Sequence, residues 1–245
     1  MNHAPPHTGA PEEKVPSFVT FELCAETLDA CRAANEAGAD RIELCVNLHL
    51  QGTTAPEPLI ADAVASSQVP VHILVRPDAG DFVYQAERFR VIRDQIRAAR
   101  VLGAAGIVVV VVNPDRSVAI GPMQELVTLA APLPVEFHRA FDECPDLEQA
   151  LEDSIVAGCK RVLTSGGAPD VITGAASLAR LVRQAAGRIE IAAGGGLRVV
   201  NVQQLAAAWG GQHYHGSLGG AADGVPALAQ RIRTIVSAIR AAEPL

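Results

Sequence analysis

The sequence is poor in aromatic residues, in positive charge and in long apolar runs. Aromatic residues make up 4% of the 245-residue chain, so Val, Ile, Leu and Ala must supply most of its core. The formal net charge of −7 argues against binding to nucleic acid or to a membrane surface. The longest apolar stretch, residues 106–113, is far shorter than the roughly 18–20 residues that a membrane span needs.

The sequence also lacks a secretory signal and a disulfide framework. Residues 1–16 contain no basic segment followed by an apolar one, and we expect them to form a flexible leader before a single folded domain at 17–245. The cysteines number five, which is odd, and no C-x-x-C pair occurs. We therefore expect a cytoplasmic protein with free thiols.

Short β-branched runs and amphipathic segments alternate along the whole domain. The predicted strands are 18–24, 40–46, 71–77, 106–113, 134–140, 160–167, 188–196 and 213–217. The predicted helices are 26–38, 57–67, 85–102, 122–130, 147–158, one within 170–186, 199–208 and 224–241. Strict alternation predicts a parallel sheet covered by helices. An open sheet would satisfy the alternation, but eight similar units favour an α/β fold of the single-domain (β/α)₈ TIM-type barrel.

Polar residues occur at the carboxyl end of one predicted strand after another, which is where such barrels place their active sites. A single polar residue there is more often a packing residue, but many on consecutive strands predict a site. Because buried carboxylates need partners, we expect Arg76, His138 and His215 to partner Glu22 and Glu43. The candidate catalytic residues are Glu22, Glu43, Arg76, His138, Asp142 and His215.

Glycine-rich turns follow the sixth and seventh strands, at 164–167 and 192–197. Exposed amides in such turns bind anions, and barrels often hold phosphate near the last two strands. A tight turn that needs positive φ would explain the same glycines. Their spacing does not match a dinucleotide fingerprint, so no nucleotide cofactor is expected. The candidate anion-binding residues are Ser165, Gly166, Gly194, Gly195, Gly196 and Ser217.

Cys24 and Cys45 occupy equivalent places at the ends of sequential strands. Neighbouring strands lie about 4.8 Å apart, so two inward thiols could meet there. A thiolate pair suits a soft ion such as Cu(I). Two buried thiols that only pack against apolar neighbours are an equal alternative, and zinc is less favoured because no Cys/His pair has finger spacing.

Seven segments, which occur in order over roughly residues 18–218, resemble the CutC family, known as copper homeostasis proteins. They are GADRIELC (38–45), GTT (52–54), VRPDAGDFVY (75–84), PVEFHRAFD (134–142), KRVLTSGG (160–167), AAGGGLRVVN (192–201) and HYHGS (213–217). The resemblance implies a (β/α)₈ barrel and a cytoplasmic role in copper handling, with Cu(I) at Cys24 and Cys45. It also implies a polar barrel mouth that includes Arg139 and Asn201, and it suggests a homodimer.

The sequence departs from the family pattern in three places. LQGTTAPEP replaces a GGLTPS-like stretch after the second strand, and VVVVVNPDRSVAI replaces the usual segment after the fourth. Asp78 and Ala79 stand where the family has arginine and glycine. The loss of a cation at position 78 would weaken binding of a phosphate at the rim.

Three functions remain open from the sequence. The first, which we favour because the resemblance covers nearly the whole barrel, is a Cu(I)-binding protein of copper homeostasis. The second is a barrel enzyme for a small anionic metabolite, in which Glu22 or Glu43 is the acid or base, His138 carries protons and Arg76 orients the anion. We expect the fifth strand to present His138 to the barrel mouth, with Asp142 nearby to orient it or balance its charge. The third is a former enzyme retained as a structural or partner-binding protein.

Overall fold

The chain folds into a closed barrel of parallel strands surrounded by helices, and a computed structural model describes residues 19–242. The strands are β1 (Thr20–Ala25), β2 (Arg41–Leu44), β3 (Val71–Val75), β4 (Gly106–Val109), β5 (Val135–Phe137), β6 (Arg161–Thr164), β7 (Glu190–Gly194) and β8 (His213–Gly216). The helices are α1 (Leu28–Ala37), α2 (Glu57–Ser66), α3 (Ala86–Val101), α4 (Ile120–Ala130), α5 (Leu147–Ala157), α6 (Ala175–Ala185), α7 (Val202–Trp209) and α8 (Val225–Ala241).

The strands pair in chain order from β1 to β8, and β8 pairs with β1 to close the sheet. The predicted (β/α)₈ barrel is therefore confirmed. The expected leader at 1–16 lies outside the described residues. None of the helices between residues 19 and 242 combines the length and apolar character that a bilayer crossing requires.

Local sequence signals set several element boundaries. Thr27 caps α1 by accepting a hydrogen bond from the amide of Ala30, and Gly38 ends the helix with a φ of 79°. Asp146 caps α5 through the amides of Glu148 and Gln149. The predicted starts and ends of α1 and α5 lie within two residues of the observed ones.

The fifth strand is shorter than predicted. β5 ends at Phe137, and a 3₁₀ helix at Arg139–Glu143 follows at once. The chain turns there because Nδ1 of His138 accepts a hydrogen bond from the amide of Ala140. His138 consequently caps a turn at the barrel mouth, whereas the sequence placed it inside a strand.

The two faces of the strands have opposite characters. Outward side chains such as Phe21, Leu23 and Ile42 are fully buried against the helices and form the main hydrophobic core. The alternate positions point into the barrel, and away from the carboxyl ends of the strands they carry charged and polar residues. Gly106 is one of the exceptions, because a Cβ there would lie 2.2 Å from Nδ1 of His72, whose ring fills that space.

Candidate functional site

A cavity of about 470 Å³ opens at the carboxyl end of the strands. It is large enough for a small organic molecule, for which pockets of roughly 300–1,000 Å³ are typical. Its lining comes from the ends of β1, β2, β5, β6, β7 and β8 and the loops that follow them. The lining residues are Cys24, Glu43, Cys45, Leu48, Gln51, His138, Arg139, Asp142, Glu143, Leu163, Gly195, Gly196, Arg198, His215, Gly216 and Ser217.

A pair of thiols forms one wall of this cavity. The Sγ atoms of Cys24 and Cys45 lie 3.6 Å apart, and both residues are buried. Cys24 pairs in register with Glu43, so Cys45 lies two residues further toward the mouth and the thiols meet diagonally. Leu74 and Val108 pack with them in a small apolar cluster inside the barrel. The hydrogen bond with Cys45, with burial and nearby negative charge, raises the pKa of Cys24 well above its usual value.

Glu43 lies between the thiols and the opposite wall of the cavity. It is 3% exposed, and its Oε2 has no hydrogen-bond partner among the described residues. Burial raises the pKa of Glu43 well above its usual value, and the charges of Glu22 and Glu136 raise it further. Its carboxyl group therefore favours the protonated form more than an exposed one would, and the residue lines the cavity with one carboxyl oxygen unpartnered among the described residues.

His215 and Glu22 form a tight pair on the opposite wall. Nδ1 of His215 lies 2.6 Å from Oε1 of Glu22, whose side chain is fully buried. Burial opposes ionisation of Glu22, but Arg41 and His215 together hold its pKa well below the usual value. Nδ1 of His215 donates a hydrogen bond to this carboxylate, so Nε2 is the ring nitrogen left with a lone pair.

An ion network fills the barrel beneath this pair. Arg41 donates hydrogen bonds to both Glu22 and Glu136. Arg161 lies 3.8 Å from Glu136 and forms a second ion pair, 2.6 Å long, with Glu190. Glu22 and Glu136 are almost completely buried. Burial and the charge of Glu22 raise the pKa of Glu136, and Arg41 and Arg161 oppose that rise.

His138 and Arg76 do not partner the carboxylates as the sequence predicted. Arg76 instead donates hydrogen bonds to the backbone carbonyls of Leu50, Gly52 and Gly80, and thereby braces the loops after β2 and β3. Burial, with the charges of Arg76, His215 and Arg139, lowers the pKa of His138 to about 3. His138 is thus neutral and does not titrate near pH 7, contrary to its expected role as proton carrier.

Asp142 organises the turn after β6 instead of orienting His138. Its carboxylate accepts hydrogen bonds from the amides of Ser165 and Gly167 at 2.9–3.0 Å and from the hydroxyls of Ser165 and Thr164. These amides are the ones that an external anion would need at residues 164–167. The protein's own carboxylate therefore occupies the anion site predicted at this turn, and Ser165 and Gly166 serve the turn itself.

The turn after β7 is shaped by a guanidinium group. Gly195 has a φ of 108°, and a Cβ there would lie 2.8 Å from Cζ of Arg139, so the residue must be glycine for Arg139 to pack on it. Asn201 closes the same turn, because it accepts from the amide of Arg198 and donates to the carbonyl of Gly196. Gly195, Gly196 and Arg198 line the cavity, whereas Asn201 supports them from behind.

The structure divides the sequence-predicted site residues into two groups. Those that line the cavity are Cys24, Glu43, Cys45, His138, Arg139, Asp142, Gly195, Gly196, His215 and Ser217. Those outside the lining are Glu22, Arg76, Ser165, Gly166, Gly194 and Asn201. Glu22 nevertheless reaches the site through His215, as described above.

Arg41, Glu136, Arg161 and Arg198 were not among the predicted site residues. The signal for the first three was available, because each is a charged residue two positions before an inward-facing one in the same predicted strand. These three residues lie deeper in the barrel than the strand ends, which were the positions from which the site was predicted. Arg198 lies within the family-like segment 192–201, directly after a glycine turn, and that position was the available signal.

Asp78, at which the family pattern has a cation, lies away from the cavity. Its carboxylate forms an exposed ion pair with Nε of Arg88 at 3.0 Å. The lining residues include none from β3 or β4 or from the loops that follow them. The departures at 78 and after β4 therefore leave the walls of the cavity intact.

The thiol pair and a neighbouring carboxyl group form a donor set of the kind that binds a metal ion. Sγ of Cys24, Sγ of Cys45 and a carboxyl oxygen of Glu43 all lie within 4.8 Å of one another. Soft thiolates with apolar neighbours fit Cu(I), and the carboxyl group of Glu43 offers a harder, weaker third donor. A second group of buried ligand atoms within the same limit consists of Glu22, Glu43 and His215.

Comparisons with known proteins agree on one family. The family model described as CutC family matches residues 19–220. A family protein CutC from Chromobacterium violaceum is 43% identical over 82% of this chain and 81% of its own length. One from Caulobacter vibrioides is 40% identical over 84% of both chains. A solved structure, described as a candidate copper homeostasis protein CutC from Streptococcus agalactiae, has a TM-score of 0.77 and 28% identity over 82% of this chain and 99% of its own.

Proposed function

Because this chain belongs to the CutC family, we propose that it binds Cu(I) between Cys24 and Cys45 and takes part in copper homeostasis. The observation that carries this proposal is the 3.6 Å separation of the two Sγ atoms in the wall of an open cavity. A related protein described in terms of copper homeostasis supports the same role. The free thiols suit the reducing conditions of the cytoplasm, where we place the protein.

Copper binding at this site requires the thiols to lose protons. Cys24 holds its proton tightly, so Cu(I) must displace it, and affinity for the ion should rise with pH. Leu74 and Val108 exclude water from one side of the pair, which favours a soft ion over a hydrated hard one. Glu43 would complete the ligand set from its side of the cavity.

A Cu(I) titration against a chromophoric competing chelator under reducing conditions tests the proposal. Wild type should take up a single tightly held ion per chain, and the Cys24→Ala/Cys45→Ala variant should lose it. The matched control is Cys31→Ala/Cys159→Ala, which removes two buried thiols outside the cavity. Equal uptake by wild type and the Cys24/Cys45 variant would reject the site.

A second candidate function is acid–base catalysis on a small metabolite. The observation that favours it is the His215–Glu22 pair beside a cavity far larger than one ion needs. In this function Nε2 of His215 accepts a proton from the ligand, and Glu22 stabilises the imidazolium that forms. Arg41 keeps Glu22 ionised and is a positioning residue.

Proton transfer of this kind can be detected by hydrogen–deuterium exchange of the ligand. A bound ligand with an acidic C–H bond should exchange that hydrogen for deuterium in D₂O, as followed by proton NMR. The His215→Gln variant should abolish the exchange without abolishing binding. Exchange at the wild-type rate in this variant would exclude His215 as the base.

A further inference from the structure

The mouth cavity has an inner polar end and an outer cationic end. At the inner end Glu43 and His215 are 3% and 7% exposed, and both line the cavity. At the outer end lie the exposed guanidinium groups of Arg139 and Arg198. A bound copper ion at the thiol pair would use neither arginine.

The two arginines differ in the ion pairs that the protein provides for them. Arg139 lies 3.2 Å from a carboxylate oxygen of Asp142, which also accepts from the turn after β6. Arg198 donates to the carbonyl of Leu197, and no carboxylate of residues 19–242 lies within ion-pairing distance of it. Among residues 19–242 Arg198 is therefore a cation without a carboxylate partner at the edge of the cavity, and Arg139 lies on the loop after β5.

The inner end has an unused polar atom. Oε2 of Glu43 is buried without a partner in the described part of the chain, and such an atom costs free energy until something bonds to it. Nε2 of His215 is the nitrogen left over from the bond to Glu22. A ligand oxygen that reaches this end would meet both groups.

We propose that the cavity binds a small organic anion, a hydroxy acid or a phosphate ester. Its anionic group contacts Arg198 and Arg139, and its hydroxyl or carbonyl oxygen contacts Glu43 and His215. Arginine suits this task because its planar guanidinium group binds carboxylate or phosphate oxygens in pairs. The inference rests on the second candidate function, in which this anion is the substrate, and it does not depend on the copper site.

Binding is measured by thermal shift and calorimetry with a panel of small anions. The panel contains glycerol 3-phosphate, ribose 5-phosphate, gluconate and citrate, with glycerol, ribose, glucose and inorganic phosphate as counterparts. We expect at least one organic anion to bind more tightly than its neutral counterpart and than inorganic phosphate. The use of both classes distinguishes a phosphate ester from a carboxylate.

Variants then locate the ligand. Arg198→Ala should weaken binding of the anion about tenfold or more, because a charge-assisted hydrogen bond is lost. Arg180→Ala, which removes an exposed arginine outside the cavity, is the control and should bind like wild type. Glu43→Gln should also weaken binding, whereas Cys24→Ala/Cys45→Ala should retain it.

Each outcome decides a different question. Absence of binding by the whole panel, or wild-type affinity in Arg198→Ala, overturns the inference. Binding without deuterium exchange upholds the inference and counts against catalysis. Loss of copper uptake with retained anion binding separates this site from the copper proposal.

Discussion

Replacement of Arg41 by methionine should be among the most destabilising single changes within the barrel. Arg41 bonds Glu22 and Glu136, which are 0% and 2% exposed. Removal of one partner from a buried ion pair typically costs about 3–5 kcal/mol, because the remaining charge is left without compensation. His215 still contacts Glu22 and Arg161 still lies near Glu136, so we expect about 3 kcal/mol, the lower end of that range.

The loss should depend on pH in a definite direction. The pKa of Glu22 is lowered in the folded protein, so its contribution to stability is present above the usual value of 4.5 and is lost as pH falls through the lowered pKa. Without Arg41 that contribution disappears, and the buried carboxyl prefers to be protonated. The difference between wild type and Arg41→Met should therefore be largest at neutral pH and shrink at about pH 4.

Urea unfolding followed by circular dichroism measures both effects. Arg180→Met is the matched control, since its pair with Glu148 is exposed and 4.0 Å long, and should leave stability nearly unchanged. Adding Glu22→Gln and Glu136→Gln to Arg41→Met should restore part of the loss, because no buried charge is then left alone. A variant as stable as the control at neutral pH would refute the reasoning about this network.

Two further predictions concern stability. Glu43→Gln should become more stable relative to wild type as pH rises above about 4.5, because only the folded wild type must keep a proton that its unfolded chain releases. The gain should be about 1.4 kcal/mol per pH unit until Glu43 ionises in the folded protein. Parallel pH profiles of the two proteins in thermal unfolding would contradict this. Gly106→Ala should lower the melting temperature at a cost of about 1–3 kcal/mol because its Cβ would overlap the ring of His72. Gly121→Ala, within α4 and with open space at its Cβ, should slightly raise it. Equal melting temperatures for these two variants would show that His72 moves aside freely.

The sequence was sufficient for the architecture because the signals involved are local. Caps such as Thr27 and Asp146 and end glycines such as Gly38 and Gly158 mark helices without reference to the rest of the chain. The rule that parallel strands meet at their carboxyl ends then brings residues as far apart as Cys24 and Ser217 to one cavity.

The pairing of charges inside the barrel could not be predicted, because it depends on the stagger between strands. Glu22 lies in register with Arg41 on one side and His215 on the other, whereas Cys24 lies opposite Glu43. A sequence gives the face on which each residue lies but not this offset. For this reason the predicted pairing of Arg76 with Glu22 and Glu43 is wrong.

The position of Glu43 explains how two functions can be proposed for one cavity and how experiments can separate them. Its carboxyl oxygens belong both to the group with the two thiols and to the group with Glu22 and His215. A copper ion and an organic ligand would thus use the same carboxyl group, and a Glu43 variant alone cannot distinguish them. The thiols of Cys24 and Cys45 serve only one group, and Arg198 serves only the other end of the cavity. Variants of Cys24, Cys45 and Arg198 therefore distinguish the two functions. The effect of a Glu43 variant can be assigned to one of them only after the effects of those variants are known.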